Sequence, residues 1–74
     1  MKNKIPPHCT EIIVRAKKDS PHFNAGDIIQ FVKLKNGGFT GKTIRTGKKY
    51  IYFRETIQNG EVYEFLDCKV KKLS

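Results

Sequence analysis

The stretch Gly41-Lys42-Thr43-Ile44-Arg45-Thr46-Gly47-Lys48-Lys49-Tyr50-Ile51-Tyr52-Phe53-Arg54 reads as two strands around a tight Gly47-Lys48 turn. Alternate residues of a strand point to opposite faces. One face of this hairpin then carries Thr43, Arg45, Tyr50, Tyr52 and Arg54, and the other carries Lys42, Ile44, Ile51 and Phe53. A sheet that is aliphatic on one side and aromatic and basic on the other can seal a small core. It can also present rings beside positive charge to a polyanion.

Turn chemistry recurs at short intervals on either side of this hairpin, and no window holds a sustained helical spacing of apolar residues. Residues 1–9 read as an extended arm, because Pro6 and Pro7 fix φ and remove backbone donors. Residues 10–17 read as a first strand with Ile12, Val14 and Ala16 on one face. A breaker-rich loop follows over 18–26, then a second strand over 27–35. That strand has Ile28, Val32 and Leu34 on one face and Ile29 and Phe31 on the other. The turn Asn36-Gly37-Gly38 suits φ > 0. As a three-residue loop it puts Val32 and Leu34 on the side of Ile44. A two-residue loop puts Ile29 and Phe31 there instead, and the first register is preferred.

Strands three and four follow over 39–46 and 49–57. Asn59-Gly60 is the strongest hairpin signal. Read as a two-residue turn, it pairs Ile57 with Val62, Phe53 with Leu66 and Ile51 with Cys68. The expected core is therefore Ile44, Ile51, Phe53, Ile57, Val62, Leu66 and Cys68, with Glu55 opposite Glu64 as a blemish. The tail from Lys69 extends the last strand or closes the sheet against strand one. Together these elements predict an all-β fold, a small SH3-like or OB-like antiparallel barrel of about five strands. Closure also removes the open sheet edges. Residues 10–74 form its single domain.

The chain has 74 residues, 15 Lys and Arg against 7 Asp and Glu, and a net charge of +8. A chain this short holds one small core and offers little room for a deep enzyme pocket. Its charge favours nucleic acid, anionic head groups or an acidic protein. No segment has the length of a membrane span, and the start Met1-Lys2-Asn3-Lys4-Ile5-Pro6-Pro7 has no apolar leader region, so a cytoplasmic address is expected. In that setting Cys9 and Cys68 are expected as thiols packed as small hydrophobes. A bond between them requires an oxidising compartment.

Residues 26–44 resemble the KOW motif of SH3-like barrels in ribosomal proteins and transcription elongation factors. The similar elements are Gly26-Asp27 before a hydrophobic strand, then Gly38 and Gly41 followed by Ile44. The resemblance spans about a quarter of the chain, and Gln30 stands where such motifs prefer an aliphatic residue. It implies an SH3-like barrel with RNA or protein contacts.

The candidate binding residues are Arg45, Lys48, Lys49, Tyr50, Tyr52 and Arg54, with Tyr63 and Phe65 as flanking rings. The rings suit base stacking and the cations suit phosphates. The competing view is that this face is a second small core, covered by the 18–26 loop, the N-terminal arm or another subunit. His8, Cys9, His22 and Cys68 match no paired zinc-ligand spacing. No nucleophile has both a base and an orienting residue, so no enzyme, catalytic residue, metal or cofactor is expected. Gly41-Lys42-Thr43 lacks the earlier glycine and following helix of a phosphate loop. The expected function is a non-enzymatic binding module for RNA or single-stranded DNA. The alternative is a protein-interaction module or small inhibitor that docks on a larger acidic protein.

Overall fold

The computed structural model describes residues 4–70. Five strands are present: β1 (Glu11–Ala16), β2 (Ile28–Lys33), β3 (Phe39–Thr43), β4 (Lys49–Tyr52) and β5 (Tyr63–Lys69). A single helical turn, α1 (Arg54–Ile57), lies between β4 and β5. All neighbouring strands are antiparallel, and the sheet order is β4-β3-β2-β1-β5. The fold is thus all-β, as the turn spacing predicts. It is an open sheet rather than a closed barrel, because among the described residues β4 and β5 are unpaired outer strands. The rest of the tail, residues 71–74, and the arm residues 1–3 lie outside the described residues.

β1 alternates as its sequence dictates. Ile12, Val14 and Ala16 are buried and Arg15 is exposed. The same inner face takes Ile29 and Phe31 from β2, Phe39, Gly41 and Thr43 from β3, and Tyr63 from β5. Ile57 of α1, Phe23 of the first loop, and Ile5 and Cys9 of the arm cover it. The arm is therefore packed at Ile5 and Cys9 rather than wholly extended into solvent.

The core predicted from the hairpins lies mostly on the wrong side. Ile44, Ile51, Phe53 and Leu66 are exposed. The strand parity itself is right: Val32 does share a face with Ile51, through Thr40 between them. The side chosen as interior is wrong, and the physical reason lies in neighbours of like parity. Gln30, Lys42 and Lys49 fall on the aliphatic face, whereas the other carries Ile29, Phe31, Phe39 and Tyr52 with a charge only at Lys33, the exposed last residue of β2. Aromatic rings bury more area per residue than aliphatic chains, and desolvating lysine is costly.

Gly41 shows how tightly the inner face is built. A β-carbon added there would lie 2.5 Å from Tyr52 Cε2 and 2.6 Å from Phe31 Cε1. The two rings meet edge-on over this position, with centroids 5.1 Å apart.

Asn59-Gly60 makes a turn but no hairpin. The Asn59 carbonyl accepts from Val62 N at 3.2 Å and Tyr63 N at 2.9 Å, while its side-chain oxygen accepts from Glu61 N. The chain leaves β4 at Phe53 and folds into α1, where Ile57 becomes fully buried. β5 then pairs with β1 instead of β4, with Val14 opposite Phe65 and Ile12 opposite Cys68. A register shift between Ile13 and Val14 places Leu66 in a bulge. The predicted fourth strand over 49–57 is thereby cut short. Cys9 and Cys68 are joined as a disulfide, Cα atoms 5.8 Å apart, and are not free thiols.

Candidate functional site: the outer face of the sheet

The eight residues singled out by sequence divide into two groups. The rings turn inward. Tyr63 is only 3% exposed and packs against Phe23 and Phe31, with centroid distances of 5.7 Å to each. Burial pushes its phenol pKa up to about 12, with the nearby Tyr52 adding to the shift. Tyr52 is half-buried against Phe31, and burial raises its pKa too, with Tyr50 contributing. Phe65 is half-buried against the core. Tyr50, also half-buried, stacks on His22 of the first loop at 3.8 Å. The 18–26 loop and the arm thus cover much of this face, as the second-core view supposes.

The cations scatter. Arg45 is not in a strand, because β3 ends at Thr43 and a four-residue turn over 44–47 follows. Its guanidinium donates through Nε and Nη2 to both carboxylate oxygens of Asp27, each at 2.9 Å. That hydrogen bond, helped by one from Asn24 N, holds the Asp27 carboxyl below its ordinary range and raises Arg45. Arg54 opens α1, half-buried, with its guanidinium 5.5 Å from the Phe39 ring centroid. Of these four candidate cations, Lys48 and Lys49 alone are both exposed and outside the ion pairs found among the described residues. The sequence-predicted platform of rings and cations is consequently not one continuous surface.

A different surface is continuous. On the outer face of β2, β3 and β4, cross-strand register aligns Val32, Thr40 and Ile51 in one row and Gln30, Lys42 and Lys49 in the next. Ile51 is 73% exposed, Phe53 70% and Val32 46%. Lys42 and Lys49 stand directly opposite each other, an arrangement that like charges disfavour. Neither has a carboxylate within ion-pair reach among the described residues. Two clefts flank Ile51. One, of about 380 Å³, is lined by Gln30, Val32, Thr40, Lys42 and Lys49. The other, of about 300 Å³, lies between Asn36, Gly37 and Gly38 on one side and Ile51, Phe53, Arg54 and Glu55 on the other.

The turns fix these positions. Gly37 at φ 90° and the Asn36 side chain, which accepts from Gly38 N at 2.9 Å, form the wall of the smaller cleft. Sequence reasoning places Ile51 and Phe53 in the core and Val32 on the side of Ile44. The signal that puts them outside was present: Gln30, Lys42 and Lys49 alternate in phase with them.

Among the described residues no group of three His, Cys, Asp or Glu side chains could hold a metal ion, and no helix is long and apolar enough to cross a membrane. No known family model matches the chain, and no curated protein or solved structure matches it.

Proposed function

We propose that the protein is a non-enzymatic binding module that docks on an acidic protein through the outer face of β2–β4. The observation that carries this reading is the exposed Val32 and Ile51 of one row, with Phe53 just past the end of β4, beside Lys42 and Lys49. Contiguous exposed apolar side chains on a small protein mark interaction sites. Val32 and Ile51 offer no π-face for a base and leave Phe53 as the patch's one ring, whereas all three suit the apolar centre of a protein interface. The flanking lysines and the net charge of +8 select an acidic partner.

We also read the architecture as SH3-like. Its support is the meander β1 to β4, the long first connection, and the helical turn that carries the chain back to pair β5 with β1. The disulfide supports residence in an oxidising compartment rather than the cytoplasm, since cytosolic thiols are held reduced.

Nucleic acid remains the second reading. It rests on exposed Lys48 and Lys49 at the hairpin end beside Tyr50 and His22. Fluorescence-anisotropy titrations separate the two. One probe is a random copolymer of glutamate and valine, the other a labelled single-stranded oligonucleotide, each at two salt concentrations. Docking on protein predicts that the copolymer binds and that Ile51→Thr weakens it about tenfold. Preferential binding of the oligonucleotide, steeply salt-dependent and indifferent to Ile51→Thr, would establish the second reading in its place.

A further inference from the structure

The two outer strands of the sheet differ in how their free edges are protected. β5 carries a bulge at Leu66 and is studded with Glu64, Asp67 and Lys69. Bulges and charges of this kind blunt an edge against pairing. β4 has neither bulge nor proline, its one charge is Lys49 at its start, and the centre of its outer side is Ile51.

The hydrogen-bond phase of β4 follows from the adjoining turn. Thr43 N donates to Lys48 O at 3.2 Å, so Thr43 and Lys48 form a bonded pair. Bonded and non-bonded pairs alternate along an antiparallel ladder. Gly41 with Tyr50 and Phe39 with Tyr52 are therefore bonded pairs, while Lys42 with Lys49 and Thr40 with Ile51 are not. The main-chain N–H and C=O of Lys49 and Ile51 consequently point away from β3, toward the side where no described strand lies. The residues with free main-chain groups are the same ones whose side chains stand on the outer face.

We propose that the partner adds an extended strand to this edge of β4, hydrogen-bonding to Lys49 and Ile51. This rests on the protein-docking reading above and specifies its geometry. An incoming strand places two same-face side chains opposite Lys49 and Ile51. The first is acidic, to meet Lys49 with Lys42 and Lys48 close by. The second is apolar, to cover Ile51 and reach the 300 Å³ cleft between Gly37, Gly38 and Phe53. In antiparallel orientation the apolar residue precedes the acidic one by two positions. A second copy of this chain suits the edge poorly, because each copy carries +8 and brings Lys48 and Lys49 to the seam. The mode is β-augmentation, in which main-chain bonds supply affinity and alternate side chains supply selectivity.

The probe is a capped octapeptide with threonine on one face and valine and glutamate, in that order, on the other. Amide hydrogen exchange of the whole protein, followed by NMR, reads the result residue by residue. At saturating peptide the amides of Lys49 and Ile51 gain about tenfold protection or more, because the peptide closes them. The same peptide N-methylated at its edge-facing amides does not bind. Ile51→Pro removes one free-edge donor without touching a bond to β3, and it abolishes the protection at Lys49, whereas Ile51→Val retains it at both amides. Should Ile51→Pro fail to fold, the methylated peptide gives the same discrimination. Peptide that shifts the side-chain signals of Val32 and Ile51 without protecting either amide overturns the edge and leaves the face as the docking site. No binding up to about 1 mM, by the octapeptide or the copolymer, overturns both.

Discussion

The two faces of one sheet both carry apolar side chains and have opposite fates. The inner face spends Phe31, Phe39, Tyr52 and Tyr63 on one another, over a glycine that leaves room for two rings to cross. The outer face leaves Val32, Ile51 and Phe53 to solvent beside lysines that have no carboxylate partner. The lesson is that hydrophobicity alone does not decide which side of a strand is inside. What decides it is the company each apolar residue keeps on its face: Lys42 and Lys49, side by side in β3 and β4, turn theirs outward, while Lys33 at the end of β2 reaches solvent beside the buried Phe39.

The contrast can be broken most decisively by deleting a ring from the inner face. Phe31→Ala is expected to cost about 4 kcal/mol of stability in urea denaturation, since a fully buried ring leaves a cavity between Tyr52 and Tyr63. Ile51→Thr on the outer face is expected to change stability by under about 0.5 kcal/mol in the same assay. Equal losses from the two substitutions would erase the distinction between the faces.

Next in size is the Cys9–Cys68 bond, which closes a sequence separation of 59 and ties the arm to β5. Replacing both cysteines by serine is expected to lower stability by about 3 kcal/mol, and reductant to lower the thermal midpoint of the native protein alone. Indifference of that midpoint to reductant would mean that the clasp does not form in solution.

A smaller loss of about 2 kcal/mol is expected for Gly41→Ala, where the new methyl meets Tyr52 and Phe31. Calorimetry on Gly41→Ala with and without Tyr52→Leu sharpens the point, because the shorter side chain should relieve part of the clash.

The last effect is one of pH. Tyr63 has a folded pKa raised to about 12 from an ordinary value of 10.0. Its neutral form is the one the fold favours. That contribution is fully present below pH 10 and is lost as pH rises from 10 toward 12. Urea titrations across that window should show a steep fall that is shallower in Tyr63→Phe. Asp27 acts at the other end: its folded pKa is lowered by Arg45, so its contribution is present above its ordinary 3.8 and fades as pH falls below.

Much of the local structure was legible in the residues. The alternation of Ile12, Val14 and Ala16 gave β1 within a residue at each end, and β-branched and aromatic runs located all the first four strands. The positions of the glycine turns were legible too, because φ > 0 at Gly37 and Gly47 is a local demand, but Gly47 ends a four-residue turn over 44–47 rather than opening a two-residue one with Lys48. Asn59-Gly60 was legible as a turn but not as to what it joins. Whether the chain after it pairs with β4 or β1 depends on contacts some fifty residues apart, such as Val14 with Phe65, and no local preference encodes them. The candidate site suffered most. Pairing β4 with β5 puts Ile51 and Phe53 on a supposed core, which hides the exposed patch they form.

The most direct test is solvent paramagnetic relaxation of the isoleucine δ1-methyl groups, measured by NMR with a neutral gadolinium chelate on the unlabelled surface. Ile51 and Ile44 should relax strongly, while Ile12, Ile29 and Ile57, each fully or almost fully buried, should be spared. Protection of Ile44 and Ile51 together with strong relaxation of Ile12 and Ile29 would contradict the assignment of the two faces and remove the docking surface with it.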